Sequence, residues 1–381
     1  MFVAKLLSKT FANALPRRII VFESSPDYAC NTYPVFQQLR KELPDYKMVW
    51  FTSRNTPVPE GVAGVYWYDS RSFFNLVKKW YYGHFARVFV SSNRVLKKKR
   101  PMQLSLFLCH GSKTKKTRGS YEVGEGVDYI NVQSHFFDEI ITYEYNCDKS
   151  RLVYLGYPRC DVFYQSSGSI AGQKMGLSPE SRYVVWLPTF RQHANVDMGM
   201  DRSKYDSIGM PLVYSLEALG RLDTFLAGMD TYIFFKPHPA QDVSGLISAN
   251  LEHVRIIRDR DLSDRGLVLY ELLSGSDGLI TDYSSVFFDY LLLDRPIATT
   301  TDDIDEWKAM TGFAFDLESF YDKSTTRVAT LEELMGFLSD LHEGIDKKAG
   351  GREEIRKLTN TYFDGDSAKR VAAFIREKIG E

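Results

Sequence analysis

The segment DGLITDYSSVFFDYLLLDRP, residues 277–296, decides the fold class. A short apolar strand pattern that contains Leu279 and Ile280 runs directly into a Thr-Asp-Tyr-Ser-Ser turn. An apolar helix pattern with one acid inside it, Asp289, follows the turn. A buried strand that leads at once into a buried helix is the repeating unit of parallel α/β sheets. The segment therefore predicts a strand, a polar turn at its carboxyl end, and a covering helix.

The same alternation of strand and helix patterns continues on both sides of this segment. It predicts parallel sheets covered by helices, because parallel strands need crossover connections that are usually helical. Strand patterns occupy residues 18–25, 47–53, 87–92, 104–111, 127–134, 152–158, 183–190, 231–239, 254–259, 278–284 and 296–300. Helix patterns occupy residues 32–43, 135–145, 213–228, 267–276, 285–294, 330–343 and 351–380.

A stretch rich in Ser and Gly, residues 165–182, interrupts the alternation and is the best linker candidate. We therefore predict an α/β protein with two Rossmann-like halves that face each other across a cleft. The predicted parts are an amphipathic N-terminal segment (1–17), an acceptor domain (18–165), the linker (166–182), a donor domain (183–350) and a C-terminal helix (351–381) that packs back on the first domain.

Composition narrows the class of protein. The chain has 381 residues, 44% of them hydrophobic, and a net charge of −1, so it suits a globular protein of two or three domains and gives no indication of nucleic-acid binding. No apolar run reaches the roughly 20 residues of a membrane span, and no cleavable signal is predicted. The four cysteines lack metal-ligand spacing and are predicted to be reduced thiols of a cytosolic protein: Cys30, Cys109, Cys147 and Cys160.

Two basic stretches suggest surfaces for anions. In residues 1–18, apolar residues recur at helical spacing and Lys5, Lys9, Arg17 and Arg18 add positive charge. This pattern fits an amphipathic helix at the cytoplasmic face of an anionic membrane, or a helix packed on the protein's own core. Residues 94–118 are also strongly basic and form either a solvated face or a surface for phosphates of a substrate or of lipid.

Polar clusters follow four of the predicted strands. They are HGS (110–112) in the first half and PTFR (188–191), KPHP (236–239) and TDYSS (281–285) in the second half. In open α/β sheets, ligands bind beyond the carboxyl ends of the strands. We therefore expect these clusters to line the binding site.

The three clusters of the second half predict a pyrophosphate site. Backbone N–H groups at the start of a helix, with the hydroxyls of Ser284 and Ser285, can bind a phosphate, although helix capping explains the same residues. Arg191, Lys236 and His238 would neutralise the pyrophosphate and stabilise a departing nucleotide, which makes His238 a candidate catalytic residue. This arrangement needs no metal, and we predict neither a metal nor another cofactor.

Asp289 lies four residues after Ser285 and shares its helix face. A carboxylate would repel a phosphate, so we expect Asp289 to accept hydrogen bonds from sugar or polyol hydroxyls.

His110 is the candidate general base of the first half. A neutral imidazole at the end of a buried strand can take a proton from an acceptor hydroxyl, although a lone His is often structural. The residues around it are predicted to hold an acceptor that itself carries phosphates. They are Ser112, Lys113, Lys115, Lys116 and Arg118.

These motifs together resemble the CDP-glycerol glycerophosphotransferase family, whose members build teichoic acids and related polyol-phosphate polymers of bacterial walls and capsules. The resemblance extends from about residue 18 to residue 372, in order. It rests on FESSPDYACNTYP (22–34), HGS-x-x-K (110–115), GYPRCD (156–161), LPTFR (187–191), KPHP (236–239), TDYSSVFFDYLLLDRP (281–296), TGFAFD (311–316) and DGDSAKR (364–370).

The resemblance implies a GT-B-type fold and transfer of a polyol phosphate, glycerol phosphate in the first place, from a CDP-polyol to a hydroxyl, with release of CMP. The acceptor would be a wall or capsule glycan or a lipid-linked polyol phosphate. By motif match, His110 takes the position of the family's proposed base. The matched donor-site positions are Arg191, His238, Ser284, Ser285 and Asp289.

This chain departs from the family around His110. The family usually reads Trp-His-Gly-Thr-Pro-Leu-Lys, whereas Cys109 precedes His110 here and Ser112, Lys113 and Thr114 follow Gly111. The added charge of Lys113 suggests a different acceptor. CDP-ribitol as donor, a GT-B glycosyltransferase that uses a nucleotide sugar, and a module that binds without turnover are the alternatives. Fold alone does not separate them.

Overall fold

The computed structural model describes residues 16–53, 58–66, 72–116, 126–165, 170–189, 210–237 and 251–381. The strands of the first sheet are β1 Ile19–Glu23, β2 Lys47–Thr52, β3 Ala63–Tyr66, β4 Val88–Ser91, β5 Leu104–Phe107, β6 Tyr129–Asn131 and β7 Leu152–Val153. The strands of the second sheet are β8 Arg182–Leu187, β9 Thr231–Phe235, β10 Val254–Ile256, β11 Gly278–Thr281, β12 Ile297–Thr300 and β13 Thr326–Val328.

The helices of the described residues connect these strands. They are α1 Thr32–Glu42, α2 Phe73–Phe85, α3 Asp138–Tyr145, α4 Ala171–Lys174, α5 Leu216–Ala227, α6 Asp259–Ser263, α7 Leu269–Gly275, α8 Val286–Tyr290, α9 Ile304–Met310, α10 Leu317–Ser324, α11 Leu331–His342, α12 Ala349–Thr359 and α13 Ser367–Ile379. Within the described ranges, no helix is both long enough and apolar enough to cross a membrane.

Both sheets are parallel and have the Rossmann strand order. The first runs β3-β2-β1-β4-β5-β6-β7 and the second runs β10-β9-β8-β11-β12-β13. The order reverses beside β1 in the first sheet and beside β8 in the second. In such sheets the loops that leave the two strands at the reversal open a crevice for ligands. The strand pairs β1–β4 and β8–β11 therefore mark the ligand-binding edge of each sheet.

The chain divides into two compact units. The first comprises Met1–Ser112, Arg118–Asp161 and Thr361–Glu381, and the second comprises Lys113–Thr117 and Val162–Asn360. This division differs from the predicted boundaries, because the segment after Ser112 groups with the second unit. The predicted C-terminal helix is also two helices. The first, α12, belongs to the second unit, and the second, α13, belongs to the first unit.

Apolar side chains on both faces of the first sheet form its cores. On one face, Phe22 and Trp50 pack with α1 and with Ile375 of α13. The buried positions of α1 recur at helical spacing and form one buried stripe: Thr32, Val35, Phe36 and Leu39. In the second unit, Trp186 and Ile280 of the central strands pack with α5 and α11.

Candidate functional site

At the reversal of the first sheet, a buried carboxylate joins two loops. Glu23 ends β1, and its Oε2 accepts hydrogen bonds from the backbone N–H groups of Asn93 at 3.2 Å and Arg94 at 2.8 Å. Burial raises the pKa of Glu23 to about 7, because the surrounding protein removes water from the charged form, although the two N–H groups oppose this effect. Glu23 thus fixes the loop after β4 against the end of β1.

His110 lies three residues beyond β5, and its side chain is exposed. The preceding residue, Cys109, is buried and has a left-handed backbone conformation with φ 56°. Such a conformation is uncommon for a residue other than glycine, and it is found most often where the surrounding structure holds it. The chain therefore turns sharply at Cys109 and presents the imidazole of His110 to solvent.

Cys30 and Arg159 contact His110 within the first unit. The sulfur of Cys30 lies 3.3 Å from His110 Nδ1, and Arg159 Nη1 lies 3.7 Å from the same sulfur. Arg159 Nη1 also donates a short hydrogen bond to the carbonyl oxygen of His110. A buried cation thus holds the backbone of His110, and a thiol contacts its ring.

Ser112 is buried, and its hydroxyl donates to Gln133 Oε1 at 2.5 Å. This contact anchors the HGS turn within the first unit. Binding of the acceptor by Ser112 stays a prediction.

The segment after Ser112 pairs with the TGFAFD motif in the second unit. Lys116 N donates to the Gly312 carbonyl at 3.2 Å, and Ala314 N donates to the Thr114 carbonyl at 2.9 Å. The ammonium of Lys115 lies 4.2 Å from the centroid of the Trp307 indole ring. Two motifs distant in sequence therefore pair through backbone hydrogen bonds. Lys113 of this segment is half-buried, and Lys116 is exposed.

Asp282 joins β8 and β11 at the reversal of the second sheet. Both of its carboxylate oxygens lie 2.8 Å from Thr189 N, and Oδ1 also accepts from the Thr189 hydroxyl at 2.5 Å. Because Asp282 is fully buried, these contacts compensate for much of its lost hydration. The carboxylate therefore orients the loop that begins the LPTFR motif.

Ser284 and Ser285 follow Asp282 and are half-buried. The helix after them is shorter than the predicted 285–294, because α8 ends at Tyr290 and a 3-10 turn, Leu291–Leu293, continues it. Ser285 makes no side-chain capping bond to this helix. A five-residue helix has a small dipole, so an anion here would depend chiefly on hydroxyl and backbone N–H donors.

Asp289 is fully buried, and its Oδ2 accepts a 2.6 Å hydrogen bond from the Tyr270 hydroxyl. A polyol hydroxyl would reach this carboxylate only after the covering side chains move. Lys236 Nζ forms a 3.0 Å ion pair with Asp259 Oδ1. The donor-binding roles of both residues stay predictions.

Several predicted site residues lie outside the described residues. They are Arg191, His238 and Arg118. The predicted N-terminal amphipathic segment also falls there for residues 1–15. Among the residues that the structure does describe, no cluster of three or more His, Cys, Asp or Glu side chains is placed to hold a metal ion.

Sequence reasoning missed three residues of this site. Glu23 and Cys30 lie in FESSPDYACNTYP and Arg159 lies in GYPRCD, both of which contributed to the resemblance without assigned roles. The signal for Glu23 was its position, because an acid at the end of an otherwise apolar strand is unusual. Nothing local indicated that Cys30 and Arg159 contact a residue far from both in sequence.

Comparison with known proteins agrees with this architecture. A solved structure of the wall teichoic acid polymerase TagF superposes with a TM-score of 0.78 over 100% of this chain and 98% of that one, at 20% identity. A putative UDP-N-acetylglucosamine 2-epimerase from Listeria monocytogenes gives 0.55 over 96% and 97%, at 13% identity. These likenesses concern the fold, and they confirm the predicted α/β, GT-B-like class.

Curated relatives match this chain over only part of their own length. The teichoic acid poly(glycerol phosphate) polymerase of Bacillus subtilis (strain 168) is 25% identical over 82% of this chain and 44% of its own length. The teichoic acid ribitol-phosphate primase of Bacillus spizizenii is 26% identical over 61% of this chain and 54% of its own. The chain thus spans about half the length of each.

The family model described as CDP-Glycerol:Poly(glycerophosphate) glycerophosphotransferase matches residues 7–377. That span includes every motif on which the predicted resemblance rests, and the resemblance is confirmed. The chain therefore belongs to the CDP-glycerol:poly(glycerophosphate) glycerophosphotransferase family.

Proposed function

We propose that this protein transfers a polyol phosphate, glycerol phosphate in the first place, from a CDP-polyol to a hydroxyl of a wall or capsule glycan or a lipid-linked acceptor. The acceptor oxygen attacks the phosphorus that carries the polyol. The bond from that phosphorus to the oxygen of CMP breaks, CMP leaves, and the acceptor's proton passes to a base. Family membership and relatives named for glycerol-phosphate and ribitol-phosphate chemistry support the proposal.

The observation that carries the proposal is the setting of His110. Its imidazole is exposed, while its backbone carbonyl accepts a hydrogen bond from buried Arg159. A base must reach solvent-borne substrate and must also be held in place, because general base catalysis depends on hydrogen-bond geometry. His110 meets both requirements, and we assign it the role of the base that removes the proton of the acceptor hydroxyl.

We assign the nucleotide and its phosphates to the second unit. Ser284 and Ser285 would donate hydrogen bonds to the pyrophosphate at the end of β11. Lys236, Arg191 and His238 would offset its charge, and His238 would stabilise the departing CMP. Positive groups that bind the leaving phosphate more strongly in the transition state than in the ground state raise the rate.

The predicted basic groups suggest the acceptor class. Lys113, Lys115, Lys116 and Arg118 would hold an acceptor that already carries phosphates. Such an acceptor would be a growing polyol-phosphate chain or its lipid-linked starter. Charge-assisted hydrogen bonds from lysine and arginine to phosphate are stronger than neutral ones.

We further propose that the chain works at the cytoplasmic face of the membrane as a peripheral protein. The support is the amphipathic spacing and the basic residues of 1–18. The absence of a spanning helix among the described residues does not bear on peripheral binding.

A CDP-ribitol donor is the second candidate, because the ribitol-phosphate primase of Bacillus spizizenii matches at 26% identity, close to the 25% of the glycerol-phosphate polymerase. The two donors differ by two carbons and two hydroxyl groups, so the polyol pocket must discriminate between them. A nucleotide-sugar donor remains the alternative from another class.

The test uses the full chain with four donors: CDP-glycerol, CDP-ribitol, a UDP-sugar and a GDP-sugar. We expect CDP-glycerol to raise the melting temperature most and to yield CMP when a lipid-linked glycerol phosphate is added. Mass spectrometry should then find the acceptor heavier by one or more glycerol-phosphate units. Stabilisation by a UDP- or GDP-sugar alone would replace the proposal with glycosyl transfer. Binding of a donor without release of CMP, whichever acceptor is added, would indicate a binding module.

A further inference from the structure

The side chain of Cys30 lies against the imidazole of His110. Its sulfur lies 3.3 Å from His110 Nδ1, well within the range of a sulfur hydrogen bond. The thiol also lies 3.9 Å from the His110 carbonyl oxygen and 3.7 Å from Arg159 Nη1. Cys30 is half-buried, whereas the ring that it contacts is exposed. The sulfur therefore lies on the protein side of the imidazole.

The backbone holds Cys30 in this place. Cys30 has φ 57°, and the next residue, Asn31, is fully buried. Asn31 Nδ2 donates to the carbonyl of Leu108 at 3.3 Å and to that of Cys109 at 2.9 Å, while its Oδ1 accepts from Arg159 N at 3.2 Å. One buried amide thus ties together the three chain segments that carry the thiol, the imidazole and the guanidinium.

The donor and acceptor roles follow from the chemistry of each group. Arg159 has only donors, so its contact with Cys30 makes the sulfur an acceptor. The thiol hydrogen has an acceptor in the His110 carbonyl oxygen. With the thiol hydrogen directed to that carbonyl, a hydrogen on Nδ1 completes the contact with the sulfur lone pairs. In a neutral imidazole, a hydrogen on Nδ1 puts the basic lone pair on Nε2.

We propose that Cys30 is a positioning residue that holds His110 in the Nδ1–H tautomer, so that Nε2 is the atom that takes the acceptor's proton. The inference rests on the proposed function of His110 as the base. The sulfur here has the role that a carboxylate or carbonyl has beside the base in many hydrolases, where the partner of one ring nitrogen fixes the tautomer of the other.

A spectroscopic test does not depend on turnover. The full chain is labelled with 15N-histidine, and the His110 ring signal is assigned by its loss in His110→Ala. Above the titration range of the ring, we expect a protonated Nδ1 and an unprotonated Nε2 in the native protein. In Cys30→Ala, the ring should shift toward the opposite tautomer, which predominates in unconstrained histidine. A native ring protonated on Nε2, or no change in Cys30→Ala, would overturn the proposal.

Kinetics provide the second test, with variants that cause equal backbone strain. Ala and Ser have the same backbone preference against φ 57° as Cys, so neither adds a conformational cost of its own. We expect Cys30→Ala to lower kcat about three- to tenfold, the size of one neutral hydrogen bond, with donor Kd and Tm nearly unchanged. Cys30→Ser retains an acceptor for Nδ1–H and should recover part of the rate. Cys147→Ala, the matched control on another half-buried thiol, should have native kcat.

A double-mutant cycle separates positioning from a structural effect. If Cys30 acts through the imidazole, adding Cys30→Ala to His110→Ala should cost nothing more, because the two changes share one function. An equal further loss in the double variant, or native kcat in Cys30→Ala, would contradict the proposal. Absence of CMP release from the native protein with every donor would instead reject the proposed function. The tautomer measurement would still decide the role of Cys30.

Discussion

Asp161 accepts hydrogen bonds from the backbone N–H groups of Ser367 at 2.9 Å and Ala368 at 2.7 Å, and so caps the N-terminus of α13. Beside it, Gly156 has φ 76°, and a side chain there would come within 2.4 Å of the Ser367 hydroxyl. The motifs GYPRCD and DGDSAKR therefore pack against each other at the start of α13. These contacts of Asp161 and Gly156 serve the folding of the first unit, whereas Arg159 of the same GYPRCD motif contacts His110.

Replacing Asp161 should destabilise the first unit. Asp161 is buried, and burial raises its pKa, while the two N–H groups favour its charged form. Asp161→Ala leaves two backbone donors without the carboxylate, which should cost about 2 kcal/mol of unfolding free energy by denaturant titration. Asp366→Asn is the control, because the side chain of Asp366 makes no capping hydrogen bond to the described α13 and forms an exposed ion pair with Lys369. An equal loss in both variants would refute the capping role.

Glu23 should make the folded protein less stable as the pH rises. Its pKa rises from 4.5 to about 7 on folding, so the folded state binds the proton more tightly than the unfolded state. The stability that Glu23 contributes to the folded state is therefore fully present below pH about 4.5 and is lost as the pH rises through about 7. The total loss in unfolding free energy is about 3 kcal/mol. Glu23→Gln should flatten the unfolding free energy between these pH values. Glu60→Gln, on an exposed residue, should leave the slope unchanged.

The donor site can be tested on both described and sequence-predicted residues. Hydrogen bonds to a charged phosphate contribute about 1.5–3 kcal/mol, so Ser284→Ala, Ser285→Ala, Arg191→Ala and His238→Ala should each weaken CDP-glycerol binding about tenfold to a hundredfold. Calorimetry measures this directly. Ser263→Ala, on an exposed serine of the same unit, should bind normally. Native affinity in all four variants would move the pyrophosphate elsewhere.

The central buried strands of both sheets were predictable, because an apolar run bounded by turn residues is a local feature of the sequence. β3 was missed because it is a four-residue edge strand with Gly64 inside it, and α2 was missed because Phe73 and Phe74 expose aromatic rings where polar residues are expected. The pairing of Lys115 with Phe313 and the contact between Cys30 and His110 join distant segments. No local pattern predicts such contacts.

Membrane binding makes a separate prediction about the N-terminal segment. Removing residues 1–16 should reduce sedimentation of the protein with anionic liposomes. High salt should weaken the binding of the full chain, because dissolved ions screen the attraction between the basic residues and the anionic lipids. Lys5→Gln with Lys9→Gln should lower binding while leaving the apolar positions intact. If the full chain does not sediment with anionic liposomes at low salt, the segment has a structural role.

His110 separates binding from chemistry most directly. If it removes the acceptor's proton during transfer, its effect is confined to the transition state, so His110→Ala should lower kcat by on the order of 10²- to 10⁴-fold while donor Kd stays near native. His110→Asn keeps a polar side chain but cannot act as a base at neutral pH, and it should be similarly impaired. His135→Ala is the matched control, because His135 is exposed in the same unit and contacts Asp138 instead. CMP release and donor affinity must be measured on the same folded variant. Near-native CMP release from His110→Asn with acceptor present would refute the assignment of the base. A joint loss of Tm, donor affinity and rate would indicate that His110 is structural.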